Sequence, residues 1–305
     1  MAIELQSLEV VASAPGPRVL LTGGVHGDEW EPMAALRRLH GVLSGRVVRG
    51  RVRLIPCVNE AAFALGARVA HDGLDLARHC PGNLTGSVTE QTAWALSQQI
   101  ADCDYYVDLH TGGTRLQVWP LAGYMLHPEP RVLEAQRRMA RVFGLPLVWG
   151  TDHRLNGRSL SVARDQQIPA IYCEYLGGGG LSEAGVQAYL RGCLNLLADL
   201  GMVDQPVVEP PAEQRVVEDS RPSAGHMQIN HPTPMAGFFE PRVRLGERVS
   251  RNAVLGEVCD ITGRRAETVC ARYAGQVIVL HTYARIEADT SVAVVLEETP
   301  AEAPQ

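Results

Sequence analysis

The chain has 305 residues, of which 46% are hydrophobic and 20% charged, and its net charge is −6. This length suits one large domain and a small one, and the acidic balance disfavours a nucleic-acid-binding or anionic-membrane surface. No apolar run approaches the ~20 residues that span a bilayer, the N-terminus lacks signal-peptide features, and seven scattered cysteines without a CxxC pair are typical of a cytoplasmic protein.

Strand and helix patterns alternate from Arg18 to about Gly201. Strands are predicted at Val19–Leu21, Val52–Val58, Tyr105–Leu109, Gln117–Trp119, Leu147–Trp149 and Ala170–Tyr175. Helices are predicted at Trp30–Leu43, Glu90–Ile100, Pro130–Phe143, Leu160–Gln167 and Ser182–Leu200. The alternation predicts an α/β domain over residues 1–204, with a mixed sheet covered by helices on both faces.

The composition changes after the last predicted helix. Three prolines lie within residues 205–215, which predicts a linker. From residue 216 the helical period disappears, and short alternating runs are separated by glycines. This pattern predicts a small all-β domain over residues 216–305, barrel-like or sandwich-like, that ends in an acidic, frayed tail.

Polar residues stand at the ends of four predicted strands: His26, Asn59, His110 and Glu174. In open α/β sheets, ligands bind outside the carboxyl ends of the strands. Four such residues at four strand ends are therefore a stronger indication of a site than any one of them alone.

A metal site is predicted from two of these strand ends. His26 and Glu29 are three residues apart and can turn toward one ion, and His110 supplies the third ligand that a catalytic zinc takes. By itself a His-x-x-Glu pair more often begins a surface helix, but the preceding Gly-Gly and the separate Asp-Leu-His-Thr-Gly favour a metal. One Zn²⁺ per chain is predicted, although imidazole and carboxylate also suit Fe, Co, Ni or Mn.

Glu174 and two arginines are candidates for the remaining catalytic roles. Glu174 ends an apolar strand just before Gly177–Gly180. A carboxylate at this point, near a cation, can act as general base. The alternative is that Glu174 is a carboxylate that caps a helix or lies in a turn. Arg68 and Arg78 can stabilise charge on a reacting carbonyl, although most arginines are simply exposed. Both lie in the polar segment Asn59–Gly82, which is predicted to lack a regular element.

These motifs together resemble the succinylglutamate desuccinylase/aspartoacylase family, which has a zinc carboxypeptidase-like fold. The matching motifs cover roughly residues 18–200 in the right order, and each is weak alone. They are Gly24–Glu29, Asn59, Arg68, Asp72–Arg78, Pro81-Gly82, Asp108–Gly112 and Glu174.

The resemblance implies a zinc-dependent deacylase that hydrolyses the amide bond of a small N-acylated amino acid or related amine. The family's zinc ligands would be His26, Glu29 and His110. Its general base would be Glu174, and the arginine that polarises the scissile carbonyl would be Arg68. Arg78 would bind the substrate carboxylate, and Asn59 is a second predicted substrate-binding residue.

One position departs from the family pattern. The family has an asparagine before Arg78, where this chain has Ala77, and losing one charge-assisted donor typically costs about 1.5–3 kcal/mol. Arg78 can still bind a carboxylate in bidentate fashion. Either the substrate lacks the usual carboxylate, or another residue supplies the donor; Arg115, Arg154 and Arg158 are all candidates.

The C-terminal part resembles the β domain of the family's bacterial deacylases, which is similar to a biotinyl/lipoyl barrel. The segment contains no lysine, so it is not predicted to carry a swinging cofactor. It is instead expected to cover the catalytic mouth or a neighbouring subunit. The expected partner is therefore a small-molecule substrate, and association with a second copy of the chain stays open. Two alternatives stay open: a metallocarboxypeptidase acting on peptides, and a non-catalytic binding protein that retains the fold.

Overall fold

The structure, a computed structural model, describes residues 3–297, and these form two compact units. Unit 1 consists of the described residues up to Thr114, with Pro120–Tyr175 and Gly179–Gly225. Unit 2 consists of Arg115–Trp119, Leu176–Gly178 and the described residues from His226 onward. The predicted acidic tail beyond residue 297 lies outside the described residues.

Unit 1 combines a mixed sheet with helices. Its strands are β1 (Leu8–Val11), β2 (Arg18–Thr22), β3 (Arg51–Ile55), β4 (Tyr105–His110), β5 (Leu116–Met125), β6 (Leu147–Thr151), β7 (Ala170–Gly177) and β8 (Arg215–Glu218). The first four residues of β5 and the last two of β7 belong to unit 2. Its helices are α1 (Trp30–Leu43), α2 (Glu60–Leu65), α3 (Val88–Ala101), α4 (Pro130–Phe143), α5 (Ser159–Asp165) and α6 (Glu183–Asp199). In the described part of the chain, no helix has the length and apolar character needed to cross a membrane.

The sheet of unit 1 has the strand order β1-β3-β2-β4-β7-β5-β6-β8. β2 pairs in parallel with β3 and β4, β4 pairs in parallel with β7, and β1 runs antiparallel to β3. The mixed sheet predicted from the sequence is therefore confirmed. The parallel arrangement brings the carboxyl ends of β2, β4 and β7 to the same edge.

Helices cover both faces of this sheet. Side chains alternate along β2, so that Val19 and Leu21 enter one core and Leu20 enters the other. The first core contains buried residues of α1, α4 and α6, and the second contains buried residues of α3 and α5. Because both faces are covered, β2 is buried at four of its five positions, and its three central residues are a continuous apolar run.

The segment Asn59–Gly82 contains regular structure, so the prediction of a purely irregular loop was wrong. It holds α2 and a 3-10 helix at Leu76–Arg78. α2 has only six residues, too few for a helical period to show in the sequence. The Asn59 side chain caps it by accepting from the Ala62 amide at 3.1 Å, and Gly66 ends it in the left-handed conformation at φ 58°.

The division between the units falls after Gly225, not at the predicted linker of residues 205–215. The physical reason is β8, which pairs in parallel with β6 and so belongs to the sheet of unit 1. A four-residue edge strand after a proline-rich stretch gave no separate signal in the sequence.

Unit 2 is an all-β unit. Its strands are β9 (Gly237–Pro241), β10 (Arg248–Val249), β11 (Val254–Cys259), β12 (Ala266–Cys270), β13 (Gly275–His281), β14 (Arg285–Ile286) and β15 (Ala293–Glu297). β12, β11, β9 and β14 form an antiparallel sheet, while β13 pairs with β10, β15 and the first residues of β5. Both groups contribute to one core, including Leu255 and Val277. A closed barrel or a sandwich stays a prediction.

Asp72 ties the segment before the 3-10 helix to α3. Its carboxylate accepts hydrogen bonds from the Thr89 amide and hydroxyl, both at 2.9 Å, and from the Leu74 amide at 3.2 Å. Burial would raise the pKa of Asp72, but these donors lower it to about 2 from its ordinary 3.8. We therefore expect Asp72→Ala to lower the free energy of unfolding by about 1 kcal/mol at pH 7.

The pH dependence of this effect follows from the sign of the shift. Since the pKa is lower in the folded chain, the stabilisation is present above pH 4 or so and is lost as the pH falls toward about 2. Urea unfolding at pH 7 and pH 3 checks this, with Glu134→Ala on the exposed face of α4 as control. An equal difference between wild type and Asp72→Ala at both pH values would contradict it.

Candidate metal and active site

The candidate site lies at the carboxyl ends of three neighbouring strands. His26 follows β2, His110 ends β4, and Glu174 lies opposite His110 in the register of β4 and β7. The turn after β2 requires glycine at two places. Gly24 has φ +64°, and a Cβ on Gly27 would come 2.1 Å from the Ala62 carbonyl carbon, so α2 packs directly on this turn.

The three predicted metal ligands come together. Their candidate ligand atoms all lie within 4.8 Å of one another. Glu29 stands between the two imidazoles: its Oε1 is 2.6 Å from His26 Nδ1, and its Oε2 is 3.0 Å from His110 Nδ1. His26 and Glu29 are buried and His110 is partly buried. This is the two-imidazole, one-carboxylate donor set that suits a zinc ion with a position left open.

Two further carboxylates orient the imidazoles. His26 Nε2 lies 3.1 Å from Asp75 Oδ1, and His110 Nε2 lies 3.1 Å from Asp108 Oδ2. Each imidazole therefore faces a carboxylate oxygen from both ring nitrogens, although a neutral imidazole has only one N–H. Lone pairs facing carboxylate oxygens at these distances repel unless a cation, a proton or a metal ion, lies between them. The residues present thus fit a divalent metal.

The electrostatics of the cluster show the same requirement for positive charge. Burial opposes the charged form of His110, but Asp108 and Glu29 together raise its pKa well above the ordinary value. Burial would raise the pKa of Glu29, but the charges of His26 and His110 lower it to about 2. Glu29 is therefore an ionised carboxylate, the form that binds a metal.

Glu174 is a buried carboxylate beside this cluster. Its Oε2 atom has no hydrogen-bond partner among the described residues. Burial raises the pKa of Glu174 to about 7, against the opposing charge of His110 and with the added repulsion of Glu29. Buried polar atoms are usually hydrogen-bonded, so an unpartnered oxygen here points to contact with a molecule that the protein binds.

Arg68 is fixed near the cluster by Asp75. Arg68 Nη2 lies 3.0 Å from Asp75 Oδ2, and its Nη1 lies 4.0 Å from Glu29 Oε1. Asp75 thus joins His26 and Arg68 through its two oxygens. The sequence motif contained Asp75, but nothing in the sequence indicated this role, because the two partners are revealed only by folding.

Asn59 and Arg78, the two predicted substrate-binding residues, have different surroundings. Asn59 is buried and supports the backbone: besides capping α2, its Nδ2 donates to the Val25 carbonyl at 3.4 Å. Arg78 donates to the Ala77 carbonyl at 2.7 Å, and burial together with the nearby charge of Arg158 lowers its pKa to about 10. Substrate binding by either residue stays a prediction.

The structure ranks the three arginines that were candidates to replace the missing asparagine. Arg154 pairs with Asp152 at 2.7 Å, and Arg115 belongs to unit 2. Arg158 follows Gly157, whose carbonyl accepts from the Cys80 amide at 3.0 Å. A Cβ on Gly157 would come 2.5 Å from the Arg78 carbonyl oxygen, so the two segments are in close contact. Arg158 is therefore the arginine that folding places near Arg78.

Comparisons with known proteins agree with this geometry. Residues 15–200 match a family model described as the succinylglutamate desuccinylase/aspartoacylase catalytic domain. The chain is 34% identical over 260 residues to N-alpha-acetyl-L-2,4-diaminobutyric acid deacetylase of Halomonas elongata, a match that covers 83% of this chain and 73% of that protein.

Solved structures are similar over almost the whole chain. A succinylglutamate desuccinylase/aspartoacylase from Rhodobacter sphaeroides is 27% identical with a TM-score of 0.85, covering 97% of this chain and 90% of that one. The product-bound ectoine utilization protein EutE (DoeB) from Ruegeria pomeroyi is 26% identical with a TM-score of 0.83, covering 95% and 87%.

Proposed function

The chain belongs to the succinylglutamate desuccinylase/aspartoacylase family and is an amidohydrolase that acts on N-acyl amino acids, and we propose that it is a zinc-dependent deacetylase of an N-acetylated diamino acid. The relative from Halomonas elongata, named for deacetylation of such a compound, supports this substrate class. The observation that carries the zinc proposal is the pair of imidazoles whose Nδ1 atoms both face Glu29, with the unpartnered Glu174 carboxylate beside them.

Each residue of the site has a chemical task in this proposal. His26, Glu29 and His110 would hold the metal, which when bound polarises a carbonyl and acidifies water. The unpartnered Oε2 of Glu174 accepts the proton of the attacking water and returns it to the leaving amine. Arg68, held by Asp75, donates to the carbonyl oxygen as negative charge develops on it. The products are acetate and the free amino acid.

Arg158 takes over, in this proposal, the task of the asparagine that Ala77 replaces. Burial lowers the pKa of Arg158, and the structure shows no ion pair for it among the described residues. Two partly buried guanidinium groups near each other repel, and a substrate carboxylate between them relieves that repulsion. The substrate therefore keeps an α-carboxylate, bound by Arg78 and Arg158.

We expect Arg158→Met to raise KM for an N-acetyl amino acid about 10- to 100-fold while kcat changes little, since a lost charge-assisted hydrogen bond costs about 1.5–3 kcal/mol. Arg154→Met is the matched control, because its guanidinium is already paired with Asp152. Steady-state kinetics are measured on an N-acetyl amino acid and on the matching N-acetylated amine that lacks the carboxylate. The comparison decides whether Arg158 binds the carboxylate. The Arg158 assignment would be contradicted if KM changed equally in both variants, or if it changed in neither.

The test of the proposed function is metal-dependent hydrolysis. Chelator-stripped and zinc-reloaded protein is assayed against acetyl, succinyl and formyl amino acids, with 2,4-diaminobutyrate among the amines. Turnover that is lost on stripping, returns with zinc and is fastest with the acetylated diamino acid is the expected result. Preference for the C-terminal bond of longer peptides would favour a carboxypeptidase. A protein that binds no metal and turns over nothing in the panel would overturn the zinc proposal in favour of a binding protein.

A further inference from the structure

We propose that Ser159 is a positioning residue for the metal ligand His110 and acts on it through Asp108. This inference rests on the proposed function, because it concerns the same site. Ser159 is the first residue of α5, and neither its type nor its position in the sequence suggested a part in the site.

The contacts that carry the inference form one buried chain. The Ser159 hydroxyl donates to Asp108 Oδ2, the same oxygen that lies 3.1 Å from His110 Nε2. The other oxygen of Asp108, Oδ1, accepts from the Thr22 hydroxyl at 2.8 Å. Ser159, Asp108 and Thr22 are all buried, so water does not compete for these hydrogen bonds.

The direction of each hydrogen bond follows from the number of protons available. An ionised carboxylate only accepts, and a hydroxyl has one proton to give. Thr22 gives its proton to Asp108, so the Tyr106 hydroxyl, 2.9 Å away, must donate to Thr22. Donors on both oxygens keep the Asp108 carboxylate in one orientation, with Oδ2 directed at His110 Nε2.

Among the described residues, the Ser159 hydroxyl makes no hydrogen bond within the first turn of α5. The local hydrogen bonds there are made by Ser161, whose hydroxyl donates to the Arg158 carbonyl at 2.6 Å and accepts from the Arg158 amide at 3.1 Å. The Ser159 hydroxyl instead reaches a residue 51 positions away in sequence, on β4. Without it, Asp108 Oδ2 would be held by His110 alone, and the imidazole would lose part of its orientation. Groups that contact a metal-bound histidine typically change metal affinity 10- to 100-fold when removed, and Ser159 holds such a group in place.

The experiment measures zinc affinity of the full chain by competition with a chromogenic chelator, alongside kcat and KM. Ser159→Ala is expected to raise the zinc dissociation constant about 10- to 100-fold. Ser159→Cys, whose thiol is larger than the hydroxyl and a weaker donor, is expected to lie between wild type and Ser159→Ala. Ser97→Ala is the matched control: Ser97 is equally buried, and its hydroxyl donates to the Ala93 carbonyl within α3 at 2.8 Å.

The outcomes separate this inference from the proposed function. Zinc affinities of Ser159→Ala and Ser159→Cys equal to that of Ser97→Ala, in a background where wild type binds zinc and turns over, would overturn the inference alone. Wild-type protein that binds no zinc would overturn both. If Ser159→Ala does not fold, Ser159→Cys decides by the same comparison, since it leaves no cavity and keeps a weak donor at this position.

Discussion

Glu174→Gln is expected to lower kcat at least about 100-fold, and up to about 10,000-fold, because general acid–base catalysis contributes that range. The amide side chain keeps the size of the carboxylate but cannot take a proton from water. Glu174 is not one of the three residues whose ligand atoms converge. Zinc content and the folded state should therefore stay near wild type, as measured by metal analysis and thermal unfolding.

Glu31→Gln is the matched control for this variant. Glu31 is also a buried glutamate with an unpartnered oxygen, Oε2, and burial raises its pKa too. Its other oxygen accepts from the Ser182 amide at 2.9 Å, a bond that glutamine preserves. We expect it to keep most of the turnover. Retained turnover in Glu174→Gln, or an equal loss in both variants, would remove Glu174 from the role of general base.

The fold was predictable where elements are long and strongly patterned. The bounds of α1 and α4 agree with the sequence prediction, because apolar residues such as Leu36, Leu39 and Leu43 recur at helical spacing. The short elements were not predicted from the sequence: α2 has six residues, and the edge strands β1 and β8 have four each. In such elements tertiary pairing, not local pattern, decides the structure, as the pairing of β8 with β6 shows.

The candidate site, like the fold, could be predicted from the sequence only in part. His26, Glu29 and His110 were predictable because each lies near a strand end within a compact motif, and parallel strands bring those ends together. Supporting contacts between residues far apart in sequence were not predictable: 49 positions separate Asp75 from His26, and 86 separate Thr22 from Asp108. The ranking of Arg158 above Arg154 likewise needed the fold, since the sequence treats them as equivalent.

Glu29 is the proposed metal ligand whose loss should affect metal binding most. It is the residue that contacts both imidazoles, through separate oxygens, so its charge is shared between them. Glu29→Gln keeps the shape and removes the charge, and an amide oxygen is a much poorer zinc ligand than a carboxylate. The remaining imidazoles keep their far-side partners, Asp75 and Asp108, so the framework of the site is expected to persist.

The measurable consequence is a change in zinc-dependent stability. A ligand that binds only the folded state at 100 times its dissociation constant adds about 2.7 kcal/mol to the free energy of unfolding. Wild type should show this gain when zinc is titrated, and Glu29→Gln should show almost none, with turnover lost in parallel. Glu60→Gln, on the neighbouring α2, should gain as wild type does. If Glu29→Gln still gained about 2.7 kcal/mol over the same zinc range, zinc would bind elsewhere, and the assignment of His26, Glu29 and His110 as the metal site would be wrong.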